Sequence, residues 1–327
     1  MISSKIRLFL CFFLAASLLL GVTGCNKRRS SRQKKHIKLS SDVKNIPIAE
    51  LLPKAKAVTG KFKNEVPENV KDEYMYGTLA GQYGKIDTAR KHLERALRKE
   101  PKFVDALHNL GLAFYRQGRI NDAIDCWKRT LELAPNYAET YYNLAIFMLD
   151  MKREAEAIEL LNLCIKYEPF HLKARYALGK IAQRKGRNKE AIRHFRAYMT
   201  KDRGDARVLE ALGELYLLEG QHDASLKQFE AAARIDDKNP KVHYQLGVAY
   251  HRRNLLDHAI LEYKRVVELS PDNVDAYINL GDVYFHRREY ASALASYNAA
   301  LAIDPTNSYA ARKAKEAEKR LLETTPK

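Results

Sequence analysis

Cysteine and histidine are the side chains of this sequence best suited to covalent or metal chemistry, and their spacing points away from both. The ten histidines form no His-Glu-x-x-His or comparable metal-ligating spacing, and there is no Cys-x-x-Cys pair. A phosphate-cradling Gly-rich loop and a Gly-x-Ser-x-Gly nucleophile elbow are also missing from the chain. The expectation is a protein that is not an enzyme, with no cofactor, no metal and no small-molecule substrate. The four cysteines divide by position: Cys11 lies within an apolar run, Cys25 closes it, and Cys126 and Cys164 fall in the body of the chain.

Cys25 is the one thiol whose surroundings suggest modification. Residues 1–24 open with Lys5 and Arg7, continue through an apolar run from Leu8 to Val22 and end on Thr23-Gly24. A basic head, about 15 apolar residues and small residues at the end are the parts of a secretory signal, too short for a comfortable span. Val22-Thr23-Gly24-Cys25 resembles the bacterial lipobox, which implies lipidation of Cys25 and cleavage before it. Asn26 in the next position resembles lipoproteins sorted to an outer membrane. The competing reading is an uncleaved inner-membrane anchor, favoured by Lys27-Arg28-Arg29 directly after the cleavage point. Residues 25–45 read as a basic flexible tether able to adhere to anionic head groups.

The formal charge of +17 invites a nucleic-acid reading. Residues 1–25 carry two basic residues and no acid, and twelve Lys or Arg against Asp42 and Glu50 fall in 26–63, leaving about +5 on residues 64–327, an ordinary value for a soluble domain. The basicity is a property of the tail, and no nucleic acid is expected as partner.

The remainder of the chain repeats. A frame of 34 residues runs without insertion over 70–103, 104–137, 138–171, 172–205, 206–239, 240–273 and 274–307. Its eighth position is Gly77, Gly111, Ala145, Gly179, Gly213, Gly247 and Gly281, and its twentieth is Ala except for Ser225. The seventh position is Leu from Leu110 to Leu280, with Tyr76 in the first repeat, and the twenty-fourth is Leu, Trp, Phe or Tyr throughout. Small residues let two antiparallel helices approach, and large ones at helical spacing fill the space beside them. Gly84, Gly118, Gly186 and Gly220 mark the turn at position 15, where Asn254 substitutes and Lys152 and Arg288 depart. Pro101, Pro135, Pro169, Pro271 and Pro305 close five units, while Arg203 and Asp237 break that rule and predict looser joints around repeats four to six.

This pattern resembles the tetratricopeptide repeat. The resemblance implies an all-α fold: a right-handed superhelical solenoid of seven helical hairpins, with residues 308–327 as a C-terminal capping helix and tail and 46–69 as an N-terminal helix or cap. It also implies that the second, fifth, sixth and ninth positions line a concave groove. The groove candidates are Asn109, Tyr142, Asn143, Tyr176, Tyr244, Gln245 and Asn279. Amides can donate to and accept from a peptide backbone, and tyrosines offer rigid area with a polar tip. The family's carboxylate-clamp pattern maps onto His108, Leu112, Asn143, Lys173 and Ala177, of which only Asn143 and Lys173 fit. Cys126 and Cys164 are expected as core or near-core thiols rather than a disulfide, because packed helix axes stand roughly 8–10 Å apart. The whole reads as a membrane-anchored, periplasm-facing scaffold for peptide segments of envelope proteins. The alternative makes the tether the functional element, binding anionic lipid or polysaccharide, with the repeats mainly structural.

Overall fold

The computed structural model describes residues 47–52 and 66–324. The proposed signal, the whole tether with Cys25 and much of the segment assigned to an opening helix lie outside these residues. Among the described residues there are sixteen helices and no strand. The single turn α1 (Ile48–Leu51) buries Leu51. Seven hairpins follow: α2 (Glu68–Gln82) with α3 (Ile86–Lys99), α4 (Val104–Gln117) with α5 (Ile120–Leu133), α6 (Ala138–Asp150) with α7 (Glu154–Tyr167), and α8 (Leu172–Arg184) with α9 (Asn188–Met199). They continue as α10 (Ala206–Leu218) with α11 (His222–Ile235), α12 (Pro240–Arg252) with α13 (Leu256–Leu269), and α14 (Val274–His286) with α15 (Tyr290–Ile303), before the closing α16 (Ser308–Thr324). From α2 onward each helix packs on the next, which makes the array a solenoid. Among the described residues no helix is long and apolar enough to cross a membrane.

Each hairpin is closed by one device. The N–H at position 16 donates to the carbonyl at position 11, as in Lys85 to Ala80 at 2.9 Å and Arg153 to Met148 at 2.8 Å. That bond requires a left-handed residue between them. Gly84, Gly118, Gly186 and Gly220 supply it without strain, and Lys152, Asn254 and Arg288 are held there as well, at φ 62°, 58° and 63°. The turn is set by the hairpin, and the side chain at position 15 tolerates it.

Inside each hairpin the eighth position meets the twenty-fourth. A Cβ on Gly213 would stand 2.6 Å from the Phe229 ring, and one on Gly281 would stand 2.6 Å from the Tyr297 ring. Repeat three tolerates Ala145 and carries the smaller Leu161 at the matching position, both fully buried. The seventh-position leucines are at most 6% exposed, but Tyr76, expected to fill the same role, is 58% exposed. In later repeats that face is covered by the preceding hairpin, and no described hairpin precedes α2.

Around Arg203 the joint differs from the others: α9 stops at Met199, and the Tyr198 hydroxyl crosses the connection to donate to Asp205 at 2.8 Å. By contrast α11 runs to Ile235 although Asp237 replaces proline. At the far end α16 lays Ala314 and Ala317 against Ala293 and Tyr297, and its remaining surface is largely solvated. A closing helix of this kind gives the last repeat a polar outer side.

Candidate peptide-binding face

Successive first helices meet along one face, and the side chains at positions 5 and 6 form rungs between them. All seven groove candidates are half-buried there. The Asn109 amide donates to Thr78 Oγ1 at 3.1 Å and to the Tyr74 hydroxyl at 3.4 Å. One repeat on, the Asn143 amide reaches His108 Nε2 at 3.2 Å, and in repeat seven the Asn279 amide reaches the Tyr244 hydroxyl at 2.8 Å. Each rung ties position 6 of one repeat to position 5 of the repeat before it. The sequence reading placed these residues on a shared face but did not foresee that they bond one another. Asn143 and Asn279 each commit one N–H to the wall and retain a second N–H and the carbonyl oxygen for a ligand.

His108 is the most deeply placed member. Its ring is 6% exposed, and burial pushes its pKa down to about 4, so it is neutral at neutral pH. Because Asn143 donates to Nε2, the proton sits on Nδ1, which donates to Thr140 Oγ1 at 2.8 Å. A neutral, fixed imidazole here is a wall element, not a proton shuttle.

The three tyrosines rest on rings, and Tyr142 and Tyr176 also face cations. Tyr142 packs on His171 at 5.3 Å between centroids, with Lys173 Nζ 5.6 Å above the ring. Tyr176 packs on Phe195 and Tyr198 at 6.0 and 6.2 Å, with the Arg207 guanidinium 5.5 Å away. Tyr244 lies 6.0 Å from Tyr263. Such contacts fix the rings before any partner arrives. Gln245 lines a cleft of 740 Å³ together with Leu217, Val248 and Arg252.

The pair that fits the carboxylate clamp is occupied from within. Asn143 holds His108, and Lys173 stands 3.5 Å from Glu139, whose carboxyl is lowered to about 2 chiefly by the His171 imidazole 3.4 Å away. Leu112 and Ala177 supply no donor. Cys126 is half-buried and Cys164 fully buried, both are free, and burial raises both thiols to about 12, which removes the nucleophilic thiolate at neutral pH. Among the described residues no group of three His, Cys, Asp or Glu side chains could hold a metal ion.

The repeating hairpin and its small, bulky and left-handed positions define a helical-repeat protein. Models described as tetratricopeptide repeat match residues 104–137, 126–159, 174–207 and 244–308, and a further model described as TPR repeat matches 82–118 and 213–254. The chain is a tetratricopeptide-repeat protein. Among solved structures it is similar to YrrB, described as a TPR protein with an unusual peptide-binding site, at 21% identity and a TM-score of 0.53 over 58% of this chain and 97% of that one. It is also similar to the C-terminal part of a TPR repeat-containing protein from Cytophaga hutchinsonii, at 14% identity and a TM-score of 0.55 over 73% and 98%. At these identities the likeness is one of fold. A search of curated protein sequences returned no match.

Proposed function

We propose that the protein is a membrane-anchored interaction scaffold whose first-helix face receives peptide segments of envelope proteins, with a lipid on Cys25 as the anchor and the basic tether as spacer. Supporting the binding role is one observation: a row of half-buried amides and tyrosines along the first helices, tied by rungs where repeats one and two, two and three, and six and seven meet. A surface ordered before binding loses little further entropy when a peptide is laid on it. Supporting the anchor is the sequence around Cys25, where two acyl chains would convert marginal membrane affinity into stable attachment. Assembly of a pilus, a secretion machine, the outer membrane or a polysaccharide exporter would each use such a scaffold.

The test is photo-crosslinking in the expressing cell from a reactive amino acid at Tyr176, beside the same residue at Lys227, an exposed position on α11. Discrete adducts from position 176 alone support the groove, and the same adducts from both positions, or none, would remove it. Anchoring is read separately. Cys25→Ser should move the protein from the membrane to the soluble fraction and abolish palmitate labelling, and unchanged fractionation would sink the lipid anchor. The tether reading is favoured by the concentration of twelve basic residues in 26–63, and deleting 27–38 isolates it: partner capture with normal anchoring counts against it.

A further inference from the structure

Three of the clefts along the array occupy the same place in the frame, and they recur every second repeat. Each opens between position 12 of one repeat and positions 6, 9, 10 and 13 of the next. The first, 270 Å³, lies between Gly81 and Asn109, Leu112, Ala113 and Arg116. A second, 420 Å³, lies between Leu149 and Ala177, Lys180, Ile181 and Arg184. The third, 740 Å³, lies between Leu217 and Gln245, Val248, Ala249 and Arg252.

At the intervening joints the corresponding space is spanned by side chains. Tyr115 packs 6.3 Å from Phe147 and its hydroxyl bonds Asp150, Gln183 donates to Glu214 at 3.2 Å, and the rings of His251 and His286 meet at 5.9 Å. Position 12 therefore alternates: Gly81, Leu149 and Leu217 leave the notch open, while Tyr115, Gln183 and His251 bridge it. Position 13 alternates in step, being Arg116, Arg184 and Arg252 at the open notches and Asp150, Leu218 and His286 at the bridged ones. The period of the surface is 68 residues, twice that of the fold.

The notches share a chemistry. Small or aliphatic side chains at position 10 form the floor, and an arginine stands at each lip. Lys173, already paired with Glu139, borders the first, where Arg116 carries the uncompensated charge, while Lys152 and Lys180 add to the second and Arg253 to the third. The acids that line them are already shared: Glu154 serves both Arg184 and Lys185, and Asp223 is bound by Arg253. Arg116 gives one N–H to the Gly81 carbonyl at 2.9 Å and keeps the rest of its fork. Each notch thus carries an excess of positive charge over an apolar floor.

We propose that the three notches are the side-chain pockets of this face and that they read an extended, acidic partner segment carrying a carboxylate about every fifth or sixth residue. Packed helices stand about 8–10 Å apart, so two repeats advance about 16–20 Å, and an extended chain covers that distance in about five or six residues. Each carboxylate meets an arginine fork, and the aliphatic stem beneath it covers the floor. This rests on the groove reading above and adds the ligand's charge and its spacing.

The experiment measures fluorescence anisotropy of labelled synthetic peptides titrated with the full chain in detergent micelles. One peptide of Ser, Thr and Gly carries Leu-Glu pairs about six residues apart, a second carries the same pairs about three apart, and a third has Gln in place of Glu. The first should bind roughly tenfold more tightly than the others, and Arg116→Gln, Arg184→Gln and Arg252→Gln should each weaken it about threefold to fivefold. The triple variant should bring it to the level of the Gln peptide while its thermal melt is unchanged. Equal affinity for both spacings, binding unaffected by the triple variant, or no binding of the first peptide overturns the proposal. Crosslinking from position 176 separates the two readings: adducts that persist in the triple variant leave the groove standing without the notches, and absence of adducts in the unmodified chain removes the groove itself.

Discussion

In repeats two and three the first helices enter after Phe103 and Tyr137, aromatic residues that make no side-chain cap, and Phe103 is itself buried. In repeats five and six they enter after Asp205 and Asn239, whose side chains accept the N–H of Arg207 and of Lys241 at 3.0 and 3.1 Å. The first pair buries Trp127, Tyr141, Phe147 and Met148 almost completely, and Phe170, at 47%, is the one large apolar side chain exposed between residues 104 and 171. The second pair leaves Leu218 and Leu261 at 70% and 65% exposure. One frame thus supports two balances, with apolar burial dominating in the first region and hydrogen-bonded helix entries carrying more in the second. In a solenoid, stability is close to a sum of repeat and interface contributions, so these differences stay local.

The largest test of that contrast is Trp127→Ala, which should lose about 3–5 kcal/mol in urea melts and raise hydrogen exchange in repeats two and three before the rest. A loss near 1 kcal/mol would erase the distinction. Acid should act on the same region. His108 holds its pKa near 4, below the 6.5 of an unperturbed imidazole, so the unfolded chain takes up the proton first. Its contribution is whole above pH 6.5 and is lost as pH falls toward 4, on the order of 3 kcal/mol there. His194 in repeat four is lowered to about 4 by burial and adds in the same direction. Melts at pH 7, 5.5 and 4 read the slope, which should shrink in His108→Gln.

In the second region Gly213→Leu should cost roughly 1–3 kcal/mol, because a Cβ alone already meets Phe229 at 2.6 Å. An unaltered thermal curve would contradict the packing described for position 8. Asn239→Ala should cost about 1 kcal/mol by removing the cap of α12, an effect with no counterpart at Phe103. Smallest is a gain: Arg288→Gly relieves a left-handed residue at φ 63° and should raise the melting temperature by a few degrees.

The solenoid was legible because its determinants are single residues at fixed intervals: Gly213 against Phe229, Gly247 against Tyr263, Gly220 in the turn. Exposure was less so. Tyr76 fits the frame by type, but type does not say whether a neighbour covers it. Lys152 and Arg288 looked like departures from the turn, whereas the bond from position 16 to position 11 fixes the backbone whichever residue stands between. The rungs from Asn143 to His108 and from Asn279 to Tyr244 join neighbouring repeats, and an alignment within the repeat separates those partners into different rows. Arg116, Arg184 and Arg252 were visible all along, yet a comparison at 34 residues averages them with Asp150 and Leu218.

That doubled period makes the array behave as a lattice with a two-unit cell. Removing residues 138–171 would preserve every hairpin but set Tyr115 against Ile181 and Arg184, joining a bridging side chain to a lip built for an open notch. Downstream pockets would then fall out of phase with those upstream. Removing 138–205 would bring Tyr115 against Leu215 and Leu218, a bridged joint restored in kind, and the phase would survive. The hairpin is the unit of folding, and the pair of hairpins is the unit in which this chain can lengthen or shorten without rewriting its surface.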